Sequence, residues 1–336
     1  MRGFARPTGD SGQVTRVILA VSSRVAEDYG DRIRDAAPGI ELVSPVEDGG
    51  WTGEPEGAEA AYFSEDFWTE GHYRATLPQL FTLPNLRWFH TFSAGVDNPA
   101  FRGFIDRGVM LTNAAGTTAE PIAQYVIAMM LRVAKRMDAW DEAQRERRWA
   151  QVQTDELTGK TVGIVGVGNI GREVARLSKA FNMRVIGCRR RQAKPRYVDE
   201  LVSPDNLSDL LRRSHFVVLA LPLSTQSEDL IGRAELKAMR DDAWLINISR
   251  GRVVDEDALT AALKEGSIGG ACLDVFQQEP LPEDSELWSL PNVIVTPHNS
   301  GWSPLNLERG TDLFIDNLSR FVAGKPLRNR VRASDL

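Results

Sequence analysis

Three polar residues stand just beyond apolar runs: Arg250 follows AWLINIS in ISRG, Glu279 follows ACLDVF in QQEP, and His298 follows NVIVTP in PHNSG. Their side chains are suited to moving a proton beside an anion. A guanidinium holds a carboxylate through paired, charge-assisted hydrogen bonds and offsets negative charge developing on a nearby oxygen. An imidazole changes charge near neutral pH, and a neighbouring carboxylate favours its protonated form and fixes its ring. Taken singly, each residue has an ordinary alternative: a salt-bridged surface arginine, a solvated loop carboxylate, a histidine satisfied at a strand end. In open α/β sheets, however, ligands sit outside the carboxyl ends of the strands, so all three fall on one edge.

The segment Gly166-Val167-Gly168-Asn169-Ile170-Gly171 on that same edge fits G-x-G-x-x-G. It follows the strand-like TVGIV and opens the helical NIGREVARLSKAF, the context in which the pattern binds a dinucleotide. The first glycine permits the tight turn, the second lets backbone approach a pyrophosphate, and the third lets helix and strand pack closely. The helix N-terminus adds N–H donors and a positive dipole end. Where sheets of this kind that bind NAD carry an acidic residue, at the end of the second strand, this chain has Arg189, with Arg190 and Arg191 behind it. A carboxylate would repel a ribose 2′-phosphate, and guanidinium donors would hold one. The cluster selects NADP(H), with NAD(H) as the alternative coenzyme; a solvated basic turn is its non-functional reading. Arginine, carboxylate and histidine beside a nicotinamide are what reduction of a 2-keto acid needs.

The elements that must position these groups are legible as alternating runs. The 336 residues suffice for two domains. Between residues 16 and 112 the runs RVILAV, IELVS, AAYFS, LRWFHTF and VMLTN alternate with helical stretches, which implies a parallel sheet. From Thr161 a second series follows, with the six strands TVGIVG, RVIGC, FVVLALP, AWLINIS, GGACLDV and NVIVTPH. The fold expected is α/β, with two doubly wound parallel-sheet domains, one flavodoxin-like and one of Rossmann type, and an active-site cleft between them. A substrate-binding domain takes residues 1–115 and 303–336, and a dinucleotide-binding domain takes 116–302. Between the sheets, a helix from Ala119 to Asp138 is apolar on most faces, which implies burial in a junction or subunit interface. The charged WDEAQRERRWAQ after it belongs at a surface or against a partner subunit, and the helical LNLERGTDLFIDNLSRFV can return to the first domain.

Bulk properties exclude several partners. A net charge of −6 argues against nucleic acid or an anionic membrane. No uncharged apolar run approaches the ~20 residues that span a bilayer, and the opening MRGFARPTGDSGQ lacks the apolar core of a secretory signal. A cytoplasmic protein is expected. Cys188 and Cys272 are the only cysteines; without CxxC or Cys/His spacing they imply neither a disulfide framework nor a metal site.

From about Asp155 to Trp302 the chain resembles the D-isomer-specific 2-hydroxyacid dehydrogenase family. The resemblance is carried by TGKTVGIVGVGNIGREVA, LALPLSTQS, LINISRGRVVDEDAL, GACLDVFQQEPLP and VIVTPHNSG, with SAGVDN and NAAGTTAEPIAQYV before them. It implies that Arg250 binds the substrate carboxylate and carbonyl oxygen, that His298 is the acid/base, and that Glu279 pairs with His298. It further implies that Asp274 contacts the nicotinamide carboxamide and that backbone at Ala94 and Gly95 helps hold the carboxylate. Asn169, Ile170, Pro222 and Ile248 match positions lining the coenzyme. The substrate it implies is a small 2-keto acid or D-2-hydroxy acid, such as glyoxylate or hydroxypyruvate, and the assembly it implies is a homodimer. The chain departs from the family where Gln124-Tyr125 replace a frequent Glu-His pair, and where Arg189 replaces an acidic residue. A coenzyme-sensing, corepressor-like protein on the same fold is the alternative function. Tyr62, Phe63, Trp68 and Trp302 are candidates to line the pocket, with core packing as their other role.

Overall fold

In the computed structural model, which describes residues 17–46, 50–96, 98–190 and 193–335, the apolar runs become strands of two sheets. In chain order these are β1 (Ile18–Ala20), β2 (Glu41–Val43), β3 (Ala58–Phe63), β4 (Trp88–Thr91), β5 (Met110–Asn113), β6 (Thr161–Val165) and β7 (Arg184–Cys188). They continue with β8 (Glu200–Val202), β9 (Phe216–Leu219), β10 (Trp244–Asn247), β11 (Gly270–Leu273), β12 (Val293–Val295) and β13 (Arg330–Val331). Two units divide the chain, Met1–Ala114 with Leu305–Leu336, and Ala115–Pro304.

The first unit holds the sheet β13-β5-β4-β3-β1-β2. Its first five strands are parallel and follow the flavodoxin-like order 2-1-3-4-5. The two-residue β13 adds an antiparallel edge on β5, which the apolar pattern does not announce. The helix Asn306–Val322 covers this sheet: Phe314 is fully buried and stacks on Tyr62 at 4.5 Å and on Trp88 at 5.1 Å between ring centroids. Tyr62 and Phe63 are themselves core side chains, so their packing role replaces the pocket role considered for them. Trp68 and Trp302 are exposed.

The second unit holds β12-β11-β10-β9-β6-β7-β8, parallel throughout. Counted from β6 the order is 3-2-1-4-5-6 plus a seventh strand, the dinucleotide-binding arrangement, with its topological switch between β6 and β9. Every residue of β6 and β9 is buried, because helices cover both faces of a parallel sheet and leave no polar side to alternate with. On one face the helix Ala119–Ala134 packs Ile122, Val126 and Met130 against Ile164, Val218 and Ile246.

Two features of this unit differ from the sequence reading. The helix from Ala119 buries one face and exposes Glu120, Gln124 and Ala128, and it ends at Ala134 rather than Asp138; Lys135 caps it, Arg136 adopts φ 49°, and a new helix Met137–Arg145 starts. A left-handed residue just after the cap is a common helix stop, but glycine or asparagine usually fills it, and arginine gave no signal. The extra strand β8 begins with Glu200, whose carboxylate is held by Arg184 and Arg213; a short, charged edge strand has no apolar run to reveal it.

Candidate active site

The glycine loop leaves the carboxyl end of β6. Gly166 has φ +97°, and a Cβ there would lie 2.4 Å from the Ala220 carbonyl oxygen, so glycine alone fits this turn. At Gly171 a Cβ would meet the Gly166 carbonyl oxygen at 2.2 Å, which keeps the helix Asn169–Ala180 tight against the strand. At Gly168 the Cβ position has no heavy atom within 4 Å. The loop is thus closed behind and open in front, with Asn169 and Ile170 in the first helical turn, where N–H groups lack intrahelical acceptors.

Beyond β7, Arg189 is half-buried and its Nη1 reaches the Val167 carbonyl of the glycine loop at 3.5 Å. Arg190 is exposed and donates to Gln226 Oε1 at 2.8 Å. Arg191 lies outside the described residues. Pro222, past β9, is exposed and its carbonyl accepts from Ser227 Oγ at 2.8 Å; Ile248, past β10, is buried. An open cradle at Gly168, a helix N-terminus and flanking guanidinium groups fit a dinucleotide.

The proton-transfer candidates stand on the same strand ends. Asn247 closes β10: its Oδ1 accepts from Ser249 N at 3.0 Å and Ser249 Oγ at 2.8 Å, and its Nδ2 donates to the Arg250 carbonyl at 3.0 Å. The turn presenting Arg250 is therefore fixed by one buried amide, while Arg250 Nη1 donates to the Ser249 carbonyl at 2.8 Å. Glu279 Oε1 accepts from Phe276 N at 3.1 Å, and its Oε2 meets His298 Nδ1 at 2.8 Å. The imidazole side chain is 50 % exposed and the carboxylate 37 %, so the pair is reachable from solvent. In the first unit, Ala94 and Gly95 follow β4; Asn113 Nδ2 donates to the Ala94 carbonyl at 2.8 Å and Ser93 Oγ to that of Gly95 at 2.7 Å.

The model of the D-isomer specific 2-hydroxyacid dehydrogenase NAD binding domain matches residues 127–300. A glyoxylate reductase of Korarchaeum cryptofilum is 37 % identical over 251 residues, covering 72 % of this chain and 75 % of that protein. The chain belongs to the D-isomer specific 2-hydroxyacid dehydrogenase family. A family protein from Aeromonas salmonicida has a similar crystal structure, with TM-score 0.80 and 27 % identity over 95 % of this chain and 99 % of that one. Another from Xanthobacter autotrophicus, solved in complex with NADPH and MES, gives TM-score 0.76 and 29 % identity over 94 % of this chain and 98 % of that one. The protein is accordingly an NAD(P)-dependent 2-hydroxyacid dehydrogenase acting on CH–OH donors.

Within this dehydrogenase the electrostatics follow from the contacts. The Glu279 hydrogen bond raises the pKa of His298 against the opposing effects of burial and the Arg250 charge. Burial pushes Glu279 upward, but the His298 and Phe276 hydrogen bonds outweigh it and hold the carboxyl below its ordinary value. Because Nδ1 faces a carboxylate, Nδ1 carries a proton in both charge states and Nε2 is the nitrogen that exchanges one.

His298 has φ +52°, a left-handed conformation that costs a non-glycine residue roughly 1–2 kcal/mol, so its turn must be held. Asp274, 1 % exposed at the end of β11, does this. Its Oδ1 accepts from Thr296 Oγ1 at 2.6 Å and Asn299 N at 2.8 Å, its Oδ2 from Ser300 N at 3.0 Å, and its carbonyl from His298 N at 2.8 Å. Thr296 and Asn247 escaped the sequence reading, although an asparagine ending an apolar strand is a visible anomaly. Among the described residues no helix is long and apolar enough to cross a membrane, and no cluster of His, Cys, Asp and Glu side chains is arranged to hold a metal ion.

Proposed function

We propose that this dehydrogenase is an NADP(H)-preferring reductase of small 2-keto acids such as glyoxylate or hydroxypyruvate, with the D-2-hydroxy acid as product. The observation that carries the reading is the 2.8 Å Glu279–His298 pair, on which the Arg250 charge acts. Residues 1–115 with 303–336 serve as the substrate-binding domain and 116–302 as the coenzyme domain. Arg250 binds the substrate carboxylate and carbonyl oxygen, and backbone at Ala94 and Gly95 helps hold the carboxylate. His298, as imidazolium, gives its Nε2 proton to the oxygen on C2 as negative charge develops there, and Arg250 stabilises that charge. Glu279 keeps the imidazole charged and oriented. A bound reduced nicotinamide supplies the hydride to C2.

Gly166, Gly168, Gly171, Asn169 and Ile170 receive the pyrophosphate, Pro222 and Ile248 line the coenzyme, and Asp274 faces the nicotinamide carboxamide. Arg189 and Arg190 receive the 2′-phosphate of NADP(H). Support for the coenzyme comes from the Arg189 guanidinium beside Val167 and from the NADPH held by the Xanthobacter relative. Support for the substrate comes from the glyoxylate reductase relative. We take the protein to be cytoplasmic and its active form a homodimer, the dimer favoured by the exposed Met137, Trp140 and Trp149 in the segment that follows the helix Ala119–Ala134, with Trp149 97 % exposed.

The test is a panel of glyoxylate, hydroxypyruvate and phenylpyruvate assayed with NADPH and with NADH. Turnover of a small keto acid with NADPH favoured is expected. Tight coenzyme binding without turnover of any 2-keto acid would replace the enzyme with a sensor, and equal use of NADH would overturn the coenzyme preference.

A further inference from the structure

Tyr125 is half-buried in the second unit and its hydroxyl is used in a specific way. Its hydroxyl lies 2.8 Å from Thr296 Oγ1, and Thr296 Oγ1 lies 2.6 Å from Asp274 Oδ1. The direction of both bonds is fixed by chemistry. An ionised carboxylate only accepts, so the single threonine proton goes to Asp274, and the threonine oxygen must then accept from the phenol. Burial raises the Tyr125 pKa, which keeps the phenol protonated as the donor this chain requires. Tyr125 is carried by the helix Ala119–Ala134, whose neighbouring Ile122 and Val126 are buried in the sheet core, so the anchor end is rigid. The far end is the turn 296–300: the Asp274 carboxylate accepts from Thr296, Asn299 and Ser300, on both sides of His298.

We propose that Tyr125 is a positioning residue for proton transfer, its hydroxyl holding, through Thr296 and Asp274, the turn that sets His298 against Glu279. The inference rests on the reading of His298 as acid/base, and deepens it. A one-ångström displacement of a reacting group is enough to cost orders of magnitude in rate. The tether acts along a line of hydrogen bonds, so its members lose their effect together rather than independently.

The test compares Tyr125→Phe, Thr296→Val, Thr296→Ser and the Tyr125→Phe/Thr296→Val double variant in the full chain. Two readouts are taken: steady-state reduction of glyoxylate by NADPH, and pH titration of the His298 ring by NMR of histidine-labelled protein without coenzyme, its signal assigned with His298→Asn. The groups acting on that ring are Glu279, Arg250 and Asp274.

Tyr125→Phe is expected to lower kcat about tenfold with the NADPH KM nearly unchanged, and to move the His298 titration to lower pH as the ring sits less firmly on Glu279. Thr296→Val should do the same, Thr296→Ser should retain wild-type behaviour, and the double variant should be no worse than the more affected single one. If Tyr125→Phe fails to fold, the Thr296→Val and Thr296→Ser pair decides. A folded Tyr125→Phe or Thr296→Val protein with wild-type His298 titration overturns the proposal, whatever its kcat. Multiplicative losses in the double variant overturn it too. A titration that moves while kcat stays constant supports the tether and overturns instead the assignment of His298 as the proton donor.

Discussion

Replacing Arg189 with alanine should separate the two coenzymes if its guanidinium receives the 2′-phosphate. Its guanidinium is half-buried beside the glycine loop, 3.5 Å from the Val167 carbonyl, so a bond from it to a 2′-phosphate would be partly shielded from water. A hydrogen bond between charged partners contributes about 1.5–3 kcal/mol, which corresponds to roughly a 10- to 150-fold loss of NADPH affinity. Arg190 is exposed and already engaged by Gln226. At the ~0.2–1 kcal/mol typical of exposed charge pairs, Arg190→Ala should weaken NADPH by less than about fivefold. NADH carries no 2′-phosphate, so its affinity should be almost unchanged in both variants. The assay is a fluorescence titration of each coenzyme at low and high salt, since screening erodes what remains of the charge interaction. An Arg189→Ala protein that weakens NADPH by less than about threefold, or that weakens NADH equally, would mean that Arg189 does not hold the 2′-phosphate.

Two other substitutions test separate parts of the account. His298→Asn should lower kcat by about 10²- to 10⁴-fold, the usual contribution of a positioned acid/base, while coenzyme titrations stay at the wild-type value; retained turnover would contradict the role. Phe314→Ala should cost the first unit about 3–5 kcal/mol, measured by urea unfolding, because Phe314 is fully buried between Tyr62 and Trp88. A loss below about 1 kcal/mol would mean that the helix Asn306–Val322 does not lock onto that sheet through this side chain.

Much of the molecule was legible because parallel strands buried on both faces must be apolar along their length, and the ligand-facing residues begin where that run stops. Thus the strands β6, β9, β10 and β11 and the glycine turn after β6 could be read in order. The unread parts depend on contacts remote in sequence or on exceptions to local preference. Glu200 opens a strand with its charge held by Arg184 and Arg213, which lie 16 and 13 residues away in the sequence. Arg136 stops a helix in a conformation that its own type disfavours. Tyr125 and Thr296 meet across 171 residues, and no periodicity of either segment encodes that meeting. For Tyr62 and Phe63 the sequence left pocket and core both open, since an aromatic side chain looks alike in either, and the fold puts both in the core.

If His298, charged and held by Glu279, donates the proton, keto-acid reduction must follow the titration of that ring. The Glu279 hydrogen bond is the largest influence on His298 and raises its pKa. The imidazolium is present below that pKa and lost as pH rises through it, so reduction should fade on the alkaline side. In Glu279→Gln the raising influence is gone, and the alkaline limb of the kcat profile should move to lower pH. A limb that stays where the wild-type enzyme has it would contradict the pairing and the role built on it.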